Sequence, residues 1–187
     1  LLPIPLQSGS DSVLRRMKRG YTLDLYRRRI DLLREHMPDL ELVSDWIVGF
    51  PGETEADFSL SLEALEEFQF LHSYVFQYSP RPGTAAMALA DDVPPAVKRA
   101  RNHRLLDAQR ELAPRRTRTM VGRTSRLLLD APLEDTPGFL RGRIHNGHHA
   151  ILEAGRDAQP GKSLDVELTG WNGRELIARE LAAAAAH

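Results

Sequence analysis

No cysteine occurs anywhere in the 187 residues. That absence excludes a disulfide, a thiolate nucleophile and a cysteine-ligated cluster within this stretch, because each needs the sulfur itself. No apolar run approaches the roughly 18 residues that a membrane span requires, so a non-membrane, cytosolic chain is expected. Aromatic residues make up only 6% of the chain, leaving few platforms on which a base could stack. Of the seven His, His36, His72 and His103 stand singly, while His145, His148 and His149 have no acid at metal-ligand spacing. No metal site is expected from that pattern. The opening LLPIPLQSGS lacks the basic n-region and small-residue cleavage site of a secretory signal, and reads as an internal stretch of a longer protein.

What is present suits a globular protein: 42% hydrophobic and 27% charged residues, in a length that accommodates one compact unit with a smaller one attached. The formal net charge of −1 conceals an uneven distribution. Between Pro94 and Arg126 ten Lys or Arg face only Asp107 and Glu111, whereas Glu53 to Glu67 carries acids and no base. Such polarity fits a protein that meets a polyanion on one side.

Leu1–Leu6 is a short apolar run that enters the Gln7-Ser8-Gly9-Ser10 loop as a buried strand would. Ser10 is placed to cap a short helix ending at Gly20, and a second helix is expected from Leu23 to Met37, stopped by Pro38. Leu40–Phe50 reads as a strand running into a Pro-Gly turn, after which Thr54 caps a helix with Phe58, Leu62, Leu65 and Phe68 at helical spacing. His72–Tyr78 is a third strand. The alternation specifies parallel α/β structure, either open sheet or barrel. A long basic helix is expected from Pro94 to about Met120, interrupted or ended near Pro114. Short β-like runs follow at Ser125–Asp130, Phe139–Ile144, His149–Leu152, Ser163–Thr169 and Leu176–Arg179, and they suggest a small β-barrel of the OB type with the boundary near Met120–Gly122.

Three loops rich in Gly, Pro and Ser lie at the C-terminal ends of the expected strands: residues 7–10, 49–54 and 78–84. In a parallel sheet those ends share one face, where ligands bind, so the three should meet in space. Singly, each also has a plain role as a turn, a helix cap or a solvated charge.

These segments carry a resemblance. Leu2-Pro3 through Ser10, with Leu14, Met17, Arg19 and Tyr21, resembles the LPxQSGSDxVLxxMxRxYT segment of the radical-SAM methylthiotransferases. Asp45–Thr54 (DWIVGFPGET) and Tyr78–Ala86 (YSPRPGTAA) resemble two further signatures of that family, in the same order.

The resemblance implies that residues 1–121 are the later part of a TIM-like radical-SAM barrel with a trailing basic helix. It implies that residues 122–181 are a TRAM domain, a small RNA-binding β-barrel, and that 182–187 are a tail or linker. The implied reaction is the S-adenosylmethionine-dependent radical methylthiolation of an N6-isopentenylated adenosine in tRNA. Two 4Fe-4S clusters serve it in the full-length protein, bound by a CxxxCxxC loop and three further Cys, none of them in this chain. The fragment alone is therefore expected to be inactive, and its partners are tRNA, the missing N-terminal cluster domain and the first barrel strands. Within the family, threonylcarbamoyladenosine or an aspartate of a ribosomal protein are rival substrates. Outside it, a non-catalytic tRNA-binding module is the alternative.

Carried over by position, Gln7, Ser8 and Ser10 should line the cofactor-facing end of one strand. Ile47, Gly49 and Glu53 match the family's GxIxGxxGE segment, with Asp45 in place of its leading Gly. Tyr78, Ser79 and Arg81 should border the substrate mouth. For RNA, the basic stretch with Arg123, Arg126, Arg141, Arg143, Arg156 and Arg174 offers phosphate contacts whose counterion release makes binding salt-sensitive. Phe139 and Trp171 are the stacking candidates in the barrel.

Overall fold

The computed structural model describes residues 1–155 and 158–181; Arg156 and the tail at 182–187 lie outside the described residues. By their internal contacts the described residues divide into two compact units, residues 2–113 and the described part of 114–181.

The first unit is built on a parallel sheet in the order β1 (Leu2–Pro3), β2 (Leu42–Val48), β3 (His72–Gln77). The helices between them are α1 (Asp11–Arg16), α2 (Leu23–His36) and α3 (Glu55–Phe68), with α4 (Pro95–Arg118) following β3. The first three helices each start on a side-chain cap. Ser10 accepts from the Val13 N–H, Thr22 from Leu25, and Thr54 forms a reciprocal capping box with Asp57.

The end of α1 differs from expectation. It closes at Arg16 because Lys18 enters the left-handed region (φ 56°) and the Arg19 N–H reaches back to the Leu14 carbonyl, a Schellman-type close that comes before Gly20. Helix α4 ends close to the expected Met120, at Arg118, but it runs through Pro114 where an interruption or end was expected. Pro114 has no N–H for the Arg110 carbonyl, but Thr117 and Met120 beyond it are buried, which keeps the last turn in place.

Strand β2 decides the unit's two faces, since alternate side chains of a strand point to opposite sides. Leu42, Ser44, Trp46 and Val48 are buried; Trp46, fully covered, meets the Phe70 ring edge-on at 5.7 Å. That face belongs to one apolar core shared with Ile30, Phe58, Leu65 and Leu105. The other face carries Asp45 and Ile47, half-buried, in register with Tyr74 and Phe76 of β3. Those two rings are 59% and 54% exposed, so the apolar face remains open there.

The second unit is a closed five-stranded barrel of β4 (Thr124–Pro132), β5 (Phe139–Ile144), β6 (His149–Glu153), β7 (Ser163–Trp171) and β8 (Leu176–Glu180), in the order β4-β5-β6-β8-β7. All its pairings are antiparallel except β6 with β8. Irregularities at Leu129/Ala131 and Leu168/Gly170 bend the strands where closure requires it. Leu127, Leu129, Leu140, Ile144, Leu152, Val166 and Leu168 fill its interior.

Candidate functional site

A cleft of about 570 Å³ opens at the C-terminal ends of the three parallel strands. Gln7, Asp45, Ile47, Tyr78, Ser79 and Arg81 all line it, so residues from all three Gly/Pro/Ser-rich segments or the strands entering them converge there. Phe50 and Phe76 supply an apolar wall, and Met17, Lys18 and Arg19 complete the rim from the turn after α1.

Gln7 reaches the cleft through strained backbone. Its φ of 71° lies in the left-handed region, and it is held there by bonds from its own N–H to the Asp45 carbonyl (2.9 Å) and from the Ile47 N–H to its carbonyl (3.0 Å). Gly9 follows because nothing larger fits: a Cβ there would stand 2.2 Å from the Leu60 carbonyl oxygen of α3.

Ser8, Ser10, Gly49 and Glu53 are not among the residues lining the cleft; they frame it. Ser8 is buried and accepts from the Ser10 N–H. The Ser10 hydroxyl donates to Asp57 at 2.5 Å and Ser12 donates to the same oxygen at 2.7 Å. Burial works against ionisation of Asp57, but the bonds from Ser10, the Thr54 N–H and Ser12 outweigh it and hold the carboxyl far below the usual carboxylate range.

Gly49 donates its N–H to Glu53 at 2.6 Å. Burial pushes the Glu53 carboxyl up, opposed by the Gly49 N–H and by Arg101, whose Nη1 donates to it at 2.8 Å. Lys98 packs over Gly49, donates to Asp91 at 2.6 Å and to the Tyr78 carbonyl at 3.3 Å, and lies 5.1 Å from the centre of the Tyr78 ring. Tyr78 in turn donates its hydroxyl to the Ala86 carbonyl and packs edge-on against Phe50. The start of α4 thus braces both the Gly49 turn and the Tyr78 loop.

That bracing was not legible in the sequence, where α4 reads as one basic surface. Arg104 pairs with Glu55 and Arg110 with Asp107, so with Lys98 and Arg101 four of its cations already have carboxylate partners. Phe50 and Phe76 were missed as cleft residues as well. The signal for Phe76 was its alternation with Tyr74 along β3, which leaves two rings on one face.

In the barrel, Arg123, Arg126 and Arg143 are exposed, whereas Arg141 is half-buried and ion-paired with Glu175. Trp171 packs against the barrel core and Phe139 is half-buried. Among the described residues no three His, Asp or Glu converge as a metal-ligand set. None of the described helices is long and apolar enough to cross a membrane.

Residues 1–65 match the family model of the radical SAM superfamily. Three relatives named tRNA-2-methylthio-N(6)-dimethylallyladenosine synthase show the similarity. That of Coxiella burnetii (strain RSA 331 / Henzerling II) is 46% identical over 145 residues, 78% of this chain and 33% of the relative. That of Thermobifida fusca (strain YX) is 37% identical over 182 residues, 95% of this chain and 37% of its own length. That of Burkholderia ambifaria (strain MC40-6) is 40% identical across the whole chain and 42% of its own length. The chain therefore spans about a third to two fifths of the relatives that it matches.

Proposed function

We propose, from the chain's membership of the radical-SAM methylthiotransferase family, that the whole protein adds a methylthio group to an N6-isopentenylated adenosine of tRNA. The observation that carries this reading is the convergence of Gln7, Asp45, Ile47, Tyr78, Ser79 and Arg81 on one cleft.

The cleft's residues suit S-adenosylmethionine. Ile47 and Phe50 offer apolar contact to a flat ring, while Gln7, Asp45 and Ser79 offer polar atoms to an amino-acid or ribose moiety. When bound, that cofactor and the clusters supply the radical chemistry and the sulfur. This chain contributes shape and orientation: the α4 brace fixes the Gly49 turn and Tyr78, and Ile47, Phe50 and Phe76 offer an apolar wall. The residues present do not fit an iron–sulfur cluster, since the chain has no cysteine, and the chain by itself is inactive on this reading. In the same reading residues 1–121 are the later part of a TIM-like barrel with its basic helix, and residues 122–181 a TRAM domain. Arg123, Arg126 and Arg143 of the latter would meet tRNA phosphates.

The test is a chimaera in which this chain replaces the matching portion of the Thermobifida fusca relative. Hydrolysed tRNA from cells carrying it in place of their own enzyme should contain the methylthiolated, isopentenylated nucleoside by mass spectrometry. A folded chimaera that leaves only the isopentenylated precursor, beside an active parent, refutes the reading.

A further inference from the structure

A second crevice, of about 320 Å³, lies between α1 and the start of α2, lined by Asp11, Arg15, Arg19, Tyr21, Leu25 and Arg28 among others. Its chemistry is cationic. The Asp11 carboxylate accepts from the Leu23 N–H at 2.7 Å and is thereby turned to the backbone of α2. Arg28 pairs with Asp24 at 3.0 Å, but both side chains are more than 60% exposed, a pairing that solvent weakens. Arg15 and Arg19 have no carboxylate partner among the described residues. Their neighbour Arg16 shows the contrast, for its guanidinium is engaged by the Pro51 and Gly52 carbonyls at 3.1 and 3.0 Å.

Arg19 lines both this crevice and the cleft at the strand ends. A polyanion whose base enters the cleft must carry its backbone out over the rim, where Lys18 and Arg19 are exposed, and the exposed cations of the adjoining crevice are Arg19, Arg15 and Arg28. From this geometry we infer that Arg15 and Arg19 bind the phosphodiester backbone of the RNA strand next to the target nucleoside, with Arg28 completing the crevice. The inference rests on the tRNA reading above and adds to it a binding surface in the first unit, separate from the barrel arginines. Exposed arginines suit the task because a guanidinium meets phosphate oxygens with two parallel donors.

The test measures binding of a tRNA transcript to the full chain over a range of salt concentrations. R15Q/R19Q should weaken binding about tenfold, and the slope of log affinity against log salt should flatten by about 0.7 for each single-strand phosphate that is no longer neutralised. R29Q, which removes an exposed charge of α2 outside the crevice, should change affinity less than about twofold. Circular dichroism should show R15Q/R19Q folded as the parent is. Equal affinity and slope for R15Q/R19Q and the parent overturns the inference and leaves the tRNA reading standing, as R126Q would then still weaken binding. An R29Q effect as large, per charge, as that of R15Q/R19Q also overturns it. A parent chain without salt-sensitive tRNA binding overturns the reading itself, and the inference falls with it.

Discussion

Arg101 of α4 and Glu53 of the turn before α3 meet at 2.8 Å with side chains only 6% and 1% exposed. A buried pair of this kind is costly to break from one side, because Glu53 is then left with the Gly49 N–H alone to hold its charge away from water. R101M should therefore destabilise the first unit by about 3–5 kcal/mol in urea titrations followed by fluorescence on a W171F background, where Trp46 alone reports. R101M/E53M should lose clearly less than R101M alone; an equal or larger loss would mean that the pair is not the source.

Two glycines at the cleft should differ in how they tolerate a methyl group. At Gly9 an added Cβ meets the Leu60 backbone at 2.2 Å, whereas at Gly49 (φ 70°) it meets the Lys98 side chain at 2.3 Å. The Lys98 atoms met are its Cγ, Cδ and Cβ, and its Nζ is held by Asp91, so the stem yields only by disturbing the α4 brace; at Gly9 the atoms met are helix backbone, which yields less. G49A should cost more than the ~1–2 kcal/mol of its left-handed backbone alone, and G9A more still. Thermal melts of the two variants side by side decide the order.

Asp57 links acid stability to the α3 start. Its folded-state pKa is held below the ordinary value by the bonds from Ser10, Thr54 and Ser12, against burial. A depressed carboxylate contributes stability that is fully present above the unfolded value and drains away as pH falls towards the folded one. The unit should accordingly lose stability below about pH 4, where an unfolded aspartate begins to take up protons. D57N should be less stable at neutral pH and show a flatter acid limb. A limb as steep as the parent's would rule Asp57 out as the source.

The open face of β3 should govern self-association of the chain. Tyr74 and Phe76 are more than half exposed and stand beside Ile47, forming an apolar strip on an edge strand. Y74K/F76K should reduce light scattering at micromolar concentration and leave the melting temperature within a few degrees of the parent's. Unchanged scattering would place the association surface elsewhere.

Much of the architecture was readable because it rests on local chemistry. Ser10 and Thr54 announce helix starts by residue type, the five barrel strands lie between turn residues, and the strand ends that share a face follow from parallel order alone. What escaped depends on partners distant in sequence. Lys98 and Arg101 read as solvated basic residues, because Glu53 lies nearly fifty positions upstream of Arg101 and the Asp91–Lys98 pair takes its meaning from the Tyr78 loop that Lys98 also holds. Nor does the motif that carries Glu53 reveal that the Gly49 N–H and Arg101 hold its carboxylate. Pro114 was expected to break a helix that burial on its far side sustains.

The order of strands in the barrel also fixes when that unit can form during synthesis. The last strand, β8, joins β6 through Ala150–Leu152 and β7 through Val166–Trp171, so it is the stave that closes the ring. Until residues 176–180 have left the ribosome, β6 and β7 each present an unpaired edge, and no partial ring can hide them. A nascent chain halted ahead of Leu176 should thus expose both edges, and emergence of residues 176–180 is the event that closes the barrel.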